Sequence, residues 1–250
     1  MLRIPQAIPS VLLAAAACAM PPAPGLPAPI VVVSDLDNAP FAAVDEAGRP
    51  AGRDVEMMDL IAGVLGRPLE WRRIPFAELL PAIEAGAADV ACATLGITSE
   101  RAERVEFSRP YFVTSIAVVV RAGPDEPRDL ADLGGRRIAA GVGTTSELAV
   151  RERLPEATLE DEEPSGTGPA ERLASGAIDA VVLDGPAADA MVAASGGRLT
   201  RFAEPLAEER YALVVALGRA QLLAELDAAL ELLERTGRLR ALDRRYELAE

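Results

Sequence analysis

Arg101 is the residue least well explained by its local sequence. It lies in Gly86 to Tyr111, GAADVACATLGITSERAERVEFSRPY. Within it, Asp89 to Ala93 is a short apolar run after a glycine turn and reads as a buried strand. That run stops at Thr94-Leu95-Gly96-Ile97-Thr98, after which Thr98 or Ser99 can cap a short helix carrying Glu100, Arg101 and Arg104. A strand that ends in small polar residues and leads at once into a helix gathers backbone N–H groups and a guanidinium around one point, which suits a carboxylate. A cation in a first helical turn opposes the macrodipole, so helix chemistry does not account for Arg101. The alternative is an exposed arginine paired with Glu100, Glu103 or another surface acid, an arrangement of small energetic value.

Other strand ends carry polar groups of a similar kind. The β-branched run Ile30 to Val33 enters Ser34-Asp35-Leu36-Asp37-Asn38-Ala39-Pro40, where Asp35 and Asn38 belong either to a cleft wall or to an ordinary turn before proline. Ile138 to Ala140 enters Gly141-Val142-Gly143-Thr144-Thr145-Ser146. Gly-x-Gly after a strand invites a phosphate reading, but no Walker lysine follows and the dinucleotide spacing is incomplete. A flexible turn whose Thr and Ser cap a helix from Glu147 fits better and leaves N–H groups for an anion. Val181 to Leu183 leads to Asp184-Gly185-Pro186, a carboxylate that either caps a helix or meets a ligand. Phe76 opens a helix directly after a strand, as a core aromatic or as part of a cleft wall.

The elements that must position these residues follow from periodicity. Met57, Leu60, Ile61, Val64 and Leu65 have helical spacing within Val55 to Leu65, ended by Gly66-Arg67-Pro68. Leu69 to Ile74 reads as a strand, Phe76 to Ala85 as a helix, Ile116 to Val120 and Tyr211 to Leu217 as strands. Leu222, Leu226, Leu230 and Leu233 form one face of a helix stopped by Gly237, and a last helix carries Leu239, Leu242 and Tyr246. LLPAIEAGAADVACA and ERLASGAIDAVVLD share a helix, a glycine, two residues, an aspartate and an apolar strand, an echo that favours two similarly built lobes. Strands alternating with helices indicate an α/β fold whose loops at strand ends bind ligand.

ADVACATLGITSERAERVEFSRPYF resembles the signature of the family 3 periplasmic solute-binding proteins, the polar amino-acid receptors of ABC importers. GRDVEMMDLIAGVLG, DLGGRRIAAGVGTTSE, GAIDAVVLD and the C-terminal helices match as well, so the resemblance covers roughly Ile30 to Tyr246. It implies a two-lobed, periplasmic-binding-protein type II-like fold with a hinge and central cleft. Lobe one would hold 30–115 and 217–250, and lobe two 116–216. By the same resemblance Arg101, the Gly96 N–H and Thr145 hold an α-carboxylate, Asp184 holds the α-ammonium, and Asp35 and Phe76 face the side chain. Asn38 and Thr94 complete the implied ligand-binding set. Three positions depart from the family pattern: Arg53 and Asn38 replace aromatics, and Gly96 replaces Ser or Thr. Loss of the stacking aromatic at Asn38 points to a polar or cationic amino acid rather than an aromatic one.

Composition narrows the alternatives. The 250 residues contain no His, and all 25 basic residues are Arg, which removes His triads, His metal sites and Lys Schiff bases. No cofactor or metal is expected. A net charge of −14 opposes a nucleic-acid surface. Residues 1–19 resemble a secretory signal, with cleavage after Ala19 or lipidation of Cys18, and 20–29 form a Pro-rich linker. No other apolar run approaches the ~20 residues of a membrane span. The implied protein is an extracytoplasmic, periplasmic monomer, possessing no catalytic residues, that delivers a small amino acid to a membrane ABC permease. The alternatives are an exported enzyme on the same fold, like cyclohexadienyl dehydratase, and a sensory or accessory binding protein.

Overall fold

The structure, a computed structural model, describes residues 27–160 and 168–248. The expected leader and all but the last three linker residues lie outside the described residues, as does Cys18. The first sheet starts with β1 (Ile30–Ser34), followed by a small hairpin, β2 (Ala43–Val44) and β3 (Pro50–Ala51), and by helix α1 (Arg53–Leu65). Then come β4 (Leu69–Arg73), α2 (Phe76–Glu84), β5 (Val90–Ala91), the one-turn α3 (Ser99–Ala102) and β6 (Val105–Phe107). The chain passes to a second sheet through β7 (Phe112–Arg121), β8 (Arg137–Ala140), α4 (Thr145–Arg153), β9 (Thr158–Glu160), α5 (Pro169–Ser175), β10 (Ala180–Asp184), α6 (Gly185–Ala194), β11 (Leu199–Arg201) and β12 (Ala207–Tyr211). It returns through β13 (Val214–Ala216) to α7 (Ala220–Arg235) and α8 (Arg238–Arg245).

The sheet orders are β4-β1-β5-β13-β6 and β11-β7-β10-β8-β9, with β12 also paired to β7. Each sheet is covered on both faces. Met57, Met58 and Ile61 of α1 pack with Leu226, Leu230 and Leu233 of α7 on one side of the first sheet. Leu79 and Ile83 of α2 cover the other side. Ala149 and Val150 of α4 seal one face of the second sheet, and Leu173 and Ala188 of α5 and α6 the opposite face. This is the two-lobed α/β architecture, and no helix among the described residues is long and apolar enough to cross a membrane.

Two segments carry the chain between sheets, 108–111 and 212–213, and they run side by side. Tyr111 N donates to Tyr211 O at 2.9 Å, Ser108 N to Leu213 O at 2.9 Å, and Leu213 N to Ser108 Oγ at 3.0 Å. The exchange therefore falls a few residues before the boundaries at 115/116 and 216/217: Phe112 to Ser115 pair in the second sheet and Val214 to Ala216 in the first. Tyr211 to Leu217 is not one strand. Its apolar run is continuous because it is buried in both sheets, and hydrophobicity does not record where the pairing partner changes. The ladder of β5 is also shorter than the run Asp89 to Ala93.

The cleft-facing loops follow the carboxyl ends of parallel strands. β1, β4 and β5 are mutually parallel in order, as are β8 and β10, and the segments beginning at Asp35, Phe76, Thr94, Gly141 and Asp184 leave or end them. Open α/β sheets place ligands at that edge.

Candidate functional site

A cavity of ≈ 380 Å³ lies between the sheets and is lined by Asp35, Asn38, Phe76, Thr94, Gly96, Arg101, Thr145 and Asp184, all eight residues singled out in the sequence. A larger hollow of ≈ 700 Å³ on another face is lined by none of them. Polar strand ends converge on the smaller cavity and not on the larger one.

Thr98 caps α3, its Oγ1 accepting from Arg101 N at 3.1 Å. That cap turns the Arg101 side chain back over the cleft. Its Nη1 donates to Gly96 O at 2.7 Å and its Nη2 to Gly143 O at 2.9 Å, so the guanidinium joins a loop of each lobe. Its Cζ lies 5.9 Å from the centre of the Phe76 ring. Arg101 forms no ion pair among the described residues, so the surface pairing with Glu100 or Glu103 is not made. Burial holds its pKa below the ordinary arginine value, with Glu209 and Glu100 acting in the opposite direction.

Gly96 faces Tyr211 in an isolated antiparallel bridge whose hydrogen bonds come from Ile97 N to Arg210 O (3.1 Å) and Ala212 N to Leu95 O (3.1 Å). The Gly96 N–H takes no part in that pairing. A Cβ on Gly96 would meet Glu209 Oε1 at 2.5 Å and Thr145 Cγ2 at 2.6 Å. The departure from Ser or Thr thus has a steric reason: two side chains of the second lobe fill the volume.

Thr145 begins α4, which Thr144 caps by accepting from Glu147 N at 3.3 Å. This frees the Thr145 hydroxyl, which donates to Glu209 Oε1. Asp184 occupies the N-cap position of α6 but makes no side-chain cap bond. It accepts the Tyr211 hydroxyl instead, and burial, then the Asp184 charge, raise that phenol well above its ordinary pKa. On the first lobe Asn38 Nδ2 donates to Thr94 Oγ1 at 2.8 Å. Thr94 itself has φ 48°, a sparsely populated conformation for a β-branched residue. Asp35 Oδ1 is buried with no hydrogen-bond partner, and burial raises its pKa.

Glu209 and Asp37 also line the cavity and were not among the residues expected. Glu209 is 4% exposed, and its carboxyl is pushed up to about 8, first by burial and then by the charge of Asp184. In the sequence it is hidden inside Ala207-Glu208-Glu209-Arg210-Tyr211, which reads as a charged surface run. The available signal was period two: Glu209 and Tyr211 share the inward face of β12, while Glu208 and Arg210 face outward. Four carboxyls therefore surround the cavity, those of Asp35, Asp37, Asp184 and Glu209, and Arg101 is the single basic side chain among the described residues lining it.

The model of the bacterial extracellular solute-binding proteins, family 3, matches residues 30–249. The chain belongs to this family. This solute-binding protein is 27% identical over 214 residues to YxeM of Bacillus subtilis, a probable amino-acid-binding protein, covering 83% of this chain and 79% of that one. Its structure resembles an ancestral arginine-binding protein bound to arginine, with TM-score 0.78 and 30% identity over 87% of this chain and 97% of the other. It also resembles the ancestral amino acid-binding protein AncCDT-1, a precursor of cyclohexadienyl dehydratase, with TM-score 0.77 and 27% identity over 87% and 94%.

Proposed function

We propose that this solute-binding protein captures a small polar or cationic amino acid outside the cytoplasm and delivers it to a membrane ABC permease. The observation that carries the reading is the division of charge across one cavity: an arginine without an ion pair at one wall, and carboxyls at the others. Arg101, the Gly96 N–H and Thr145 take the α-carboxylate; Asp184 takes the α-ammonium; Asp35, Asn38, Thr94 and Phe76 meet the side chain. A cavity of this size suits an amino acid. The acidic excess favours a ligand with an added positive charge, and the likeness to an arginine-binding protein supports that direction. Export through the leader and a monomeric state belong to the same proposal.

A thermal-shift series with L-arginine, L-ornithine, L-glutamine, L-phenylalanine and L-tryptophan tests it. The largest rise in melting temperature is expected from the cationic pair. Tight, selective binding of the aromatic pair would refute the assignment.

One observation favours an enzyme. A carboxyl with pKa about 8 could serve as a general acid near neutral pH, as an elimination requires. A prephenate-like dianion would nevertheless enter a cavity with four carboxyls and one guanidinium, which electrostatics opposes. Turnover of such an acid would decide for the enzyme.

A further inference from the structure

We propose that Glu209 is a second carboxyl seat for the ligand's cationic group, that it carries a proton in the unliganded protein, and that an incoming ammonium displaces that proton. The proposal rests on the amino-acid reading above and extends it to the ligand's charge and to the pH dependence of capture.

The geometry begins at Gly96. Because Gly96 has no Cβ, the Glu209 carboxyl reaches across the lobe boundary into the cleft, where one oxygen accepts the Thr145 hydroxyl. The other oxygen, Oε2, is buried and meets no hydrogen-bond donor, while the Glu209 carboxyl lies within hydrogen-bond reach of the Asp184 carboxylate, with which a protonated Glu209 shares its proton. The groups that face Glu209 are Asp184 at the end of β10, Thr145 on α4 and Arg101 on α3. Tyr211, on its own strand, is engaged with Asp184, and Glu208 and Arg210 point outward. Asp35 and Asp37 lie on the first-lobe wall, and Glu152 of α4 lies across an adjoining hollow.

Among these the one positive charge is Arg101, whose guanidinium is committed to two backbone carbonyls and makes no ion pair with Glu209. A buried carboxylate beside another carboxylate must take up a proton or a cation. Burial and the Asp184 charge favour the proton. An ammonium placed between Asp184 and Glu209 reverses that preference. The Glu209 O–H bond then breaks, its proton passes to solvent buffer, and the resulting carboxylate accepts from the ammonium. Glu209 thus discriminates against ligands with no cationic group, which would leave its charge unpaired if it ionised.

Linkage sets the expected result. With a midpoint near 8 in the unliganded protein, capture at pH 6 to 7 releases about one proton. Affinity for L-arginine then rises roughly 50-fold between pH 6 and pH 8. Calorimetry with L-arginine in phosphate and Tris, which differ in ionisation enthalpy, measures the proton count. The Glu209→Gln variant keeps an acceptor for Thr145 and is expected to release no proton and to bind with little pH dependence. Binding by the wild type without proton release, or equal release by the variant, would overturn the proposal while leaving the amino-acid reading intact.

A second measurement needs no ligand. The carboxyl carbon of one glutamate in the unliganded protein should titrate with a midpoint near 8 in ¹³C spectra, and that signal should vanish in Glu209→Gln. Midpoints below about 6 for every glutamate would overturn the proton assignment. If L-arginine, L-ornithine and L-glutamine all fail to bind while the titration near 8 is present, the amino-acid reading falls and the displacement step with it.

Discussion

Arg101 and Glu209 line the same cavity and lead to different expectations for mutation. Arg101 is held by carbonyls, so removing it leaves no buried charge orphaned. Arg101→Ala should weaken ligand binding by roughly 30-fold to several-thousand-fold, the effect of about 2–5 kcal/mol for one side of a charge pair. The unliganded melting temperature should barely change. Calorimetry with a matched thermal melt separates the two; binding within about threefold of wild type would end the clamp assignment. Glu209 acts on the unliganded fold as well as on the ligand. Its folded pKa lies above its unfolded value, so its stabilising contribution is complete below about pH 4.5 and is lost as pH rises through about 8. Each pH unit in that window changes stability by about 1.4 kcal/mol per proton. Melting temperature should therefore fall from pH 5 to pH 8 in the wild type, and the Glu209→Gln variant should lack that component.

The helix-glycine-strand echo becomes one hydrogen-bonding device used twice at the level of elements. α2 ends at Glu84 and is followed by Ala85 and Gly86, and Asp89 before β5 accepts from Val31 N of β1 at 3.0 Å. α5 ends at Gly176, and Asp179 before β10 accepts from Arg137 N of β8 at 3.0 Å. Each aspartate also holds an arginine, Arg219 and Arg137 respectively. The pKa of Asp89 is lowered although burial opposes it, because Val31 N and Arg219 outweigh burial; that of Asp179 is lowered chiefly by Arg137. Both contributions are present above the unfolded pKa and disappear as pH falls through the folded one. Asp89→Ala and Asp179→Ala should each destabilise by about 1–3 kcal/mol in urea melts, by leaving a strand N–H without its acceptor. A loss confined to one of them would mean the two lobes are not built alike. The echo was legible in sequence because both copies keep the same spacing. β12 was not, since its inward face carries a glutamate and its outward face carries charges too.

At the scale of the whole molecule, closure of two lobes on one ligand should make the particle more compact. Ligand is favoured only by a form in which Arg101 and Asp184 reach it together. Scattering with and without L-arginine should show a smaller radius of gyration when bound; an unchanged radius at saturation would count against closure. Beside the crossing segments lies a buried charged group. Arg53 is 0% exposed, pairs with Asp54 at 3.1 Å and Asp243 at 2.9 Å, and has its Cζ 5.2 Å from the Tyr111 ring and 5.5 Å from that of Phe112. Tyr111 OH donates to Asp54 at 2.5 Å. Arg53→Met should cost about 3–5 kcal/mol, because it leaves carboxylates buried without their cation. Chemical denaturation checks this, and a cost below about one kcal/mol would mean that water replaces the guanidinium.

The class of fold was legible in local order, and the family resemblance singled out the eight residues that meet in the cleft. Strand ends, caps and glycines follow from neighbours a few positions away, and the family resemblance assigned roles to particular positions. Arg53, which reads as a mere departure from an aromatic, became intelligible only when α1, α8 and the crossing strand were packed together. Glu209 likewise required the tertiary structure. Its neighbours Gly96, Thr145 and Asp184 are far away in the chain, and its protonation depends on burial and on a second carboxylate brought beside it. Its alternation with Tyr211 marks an inward face, but a charged residue in a polar run does not record the second carboxylate; folding sets it against Asp184.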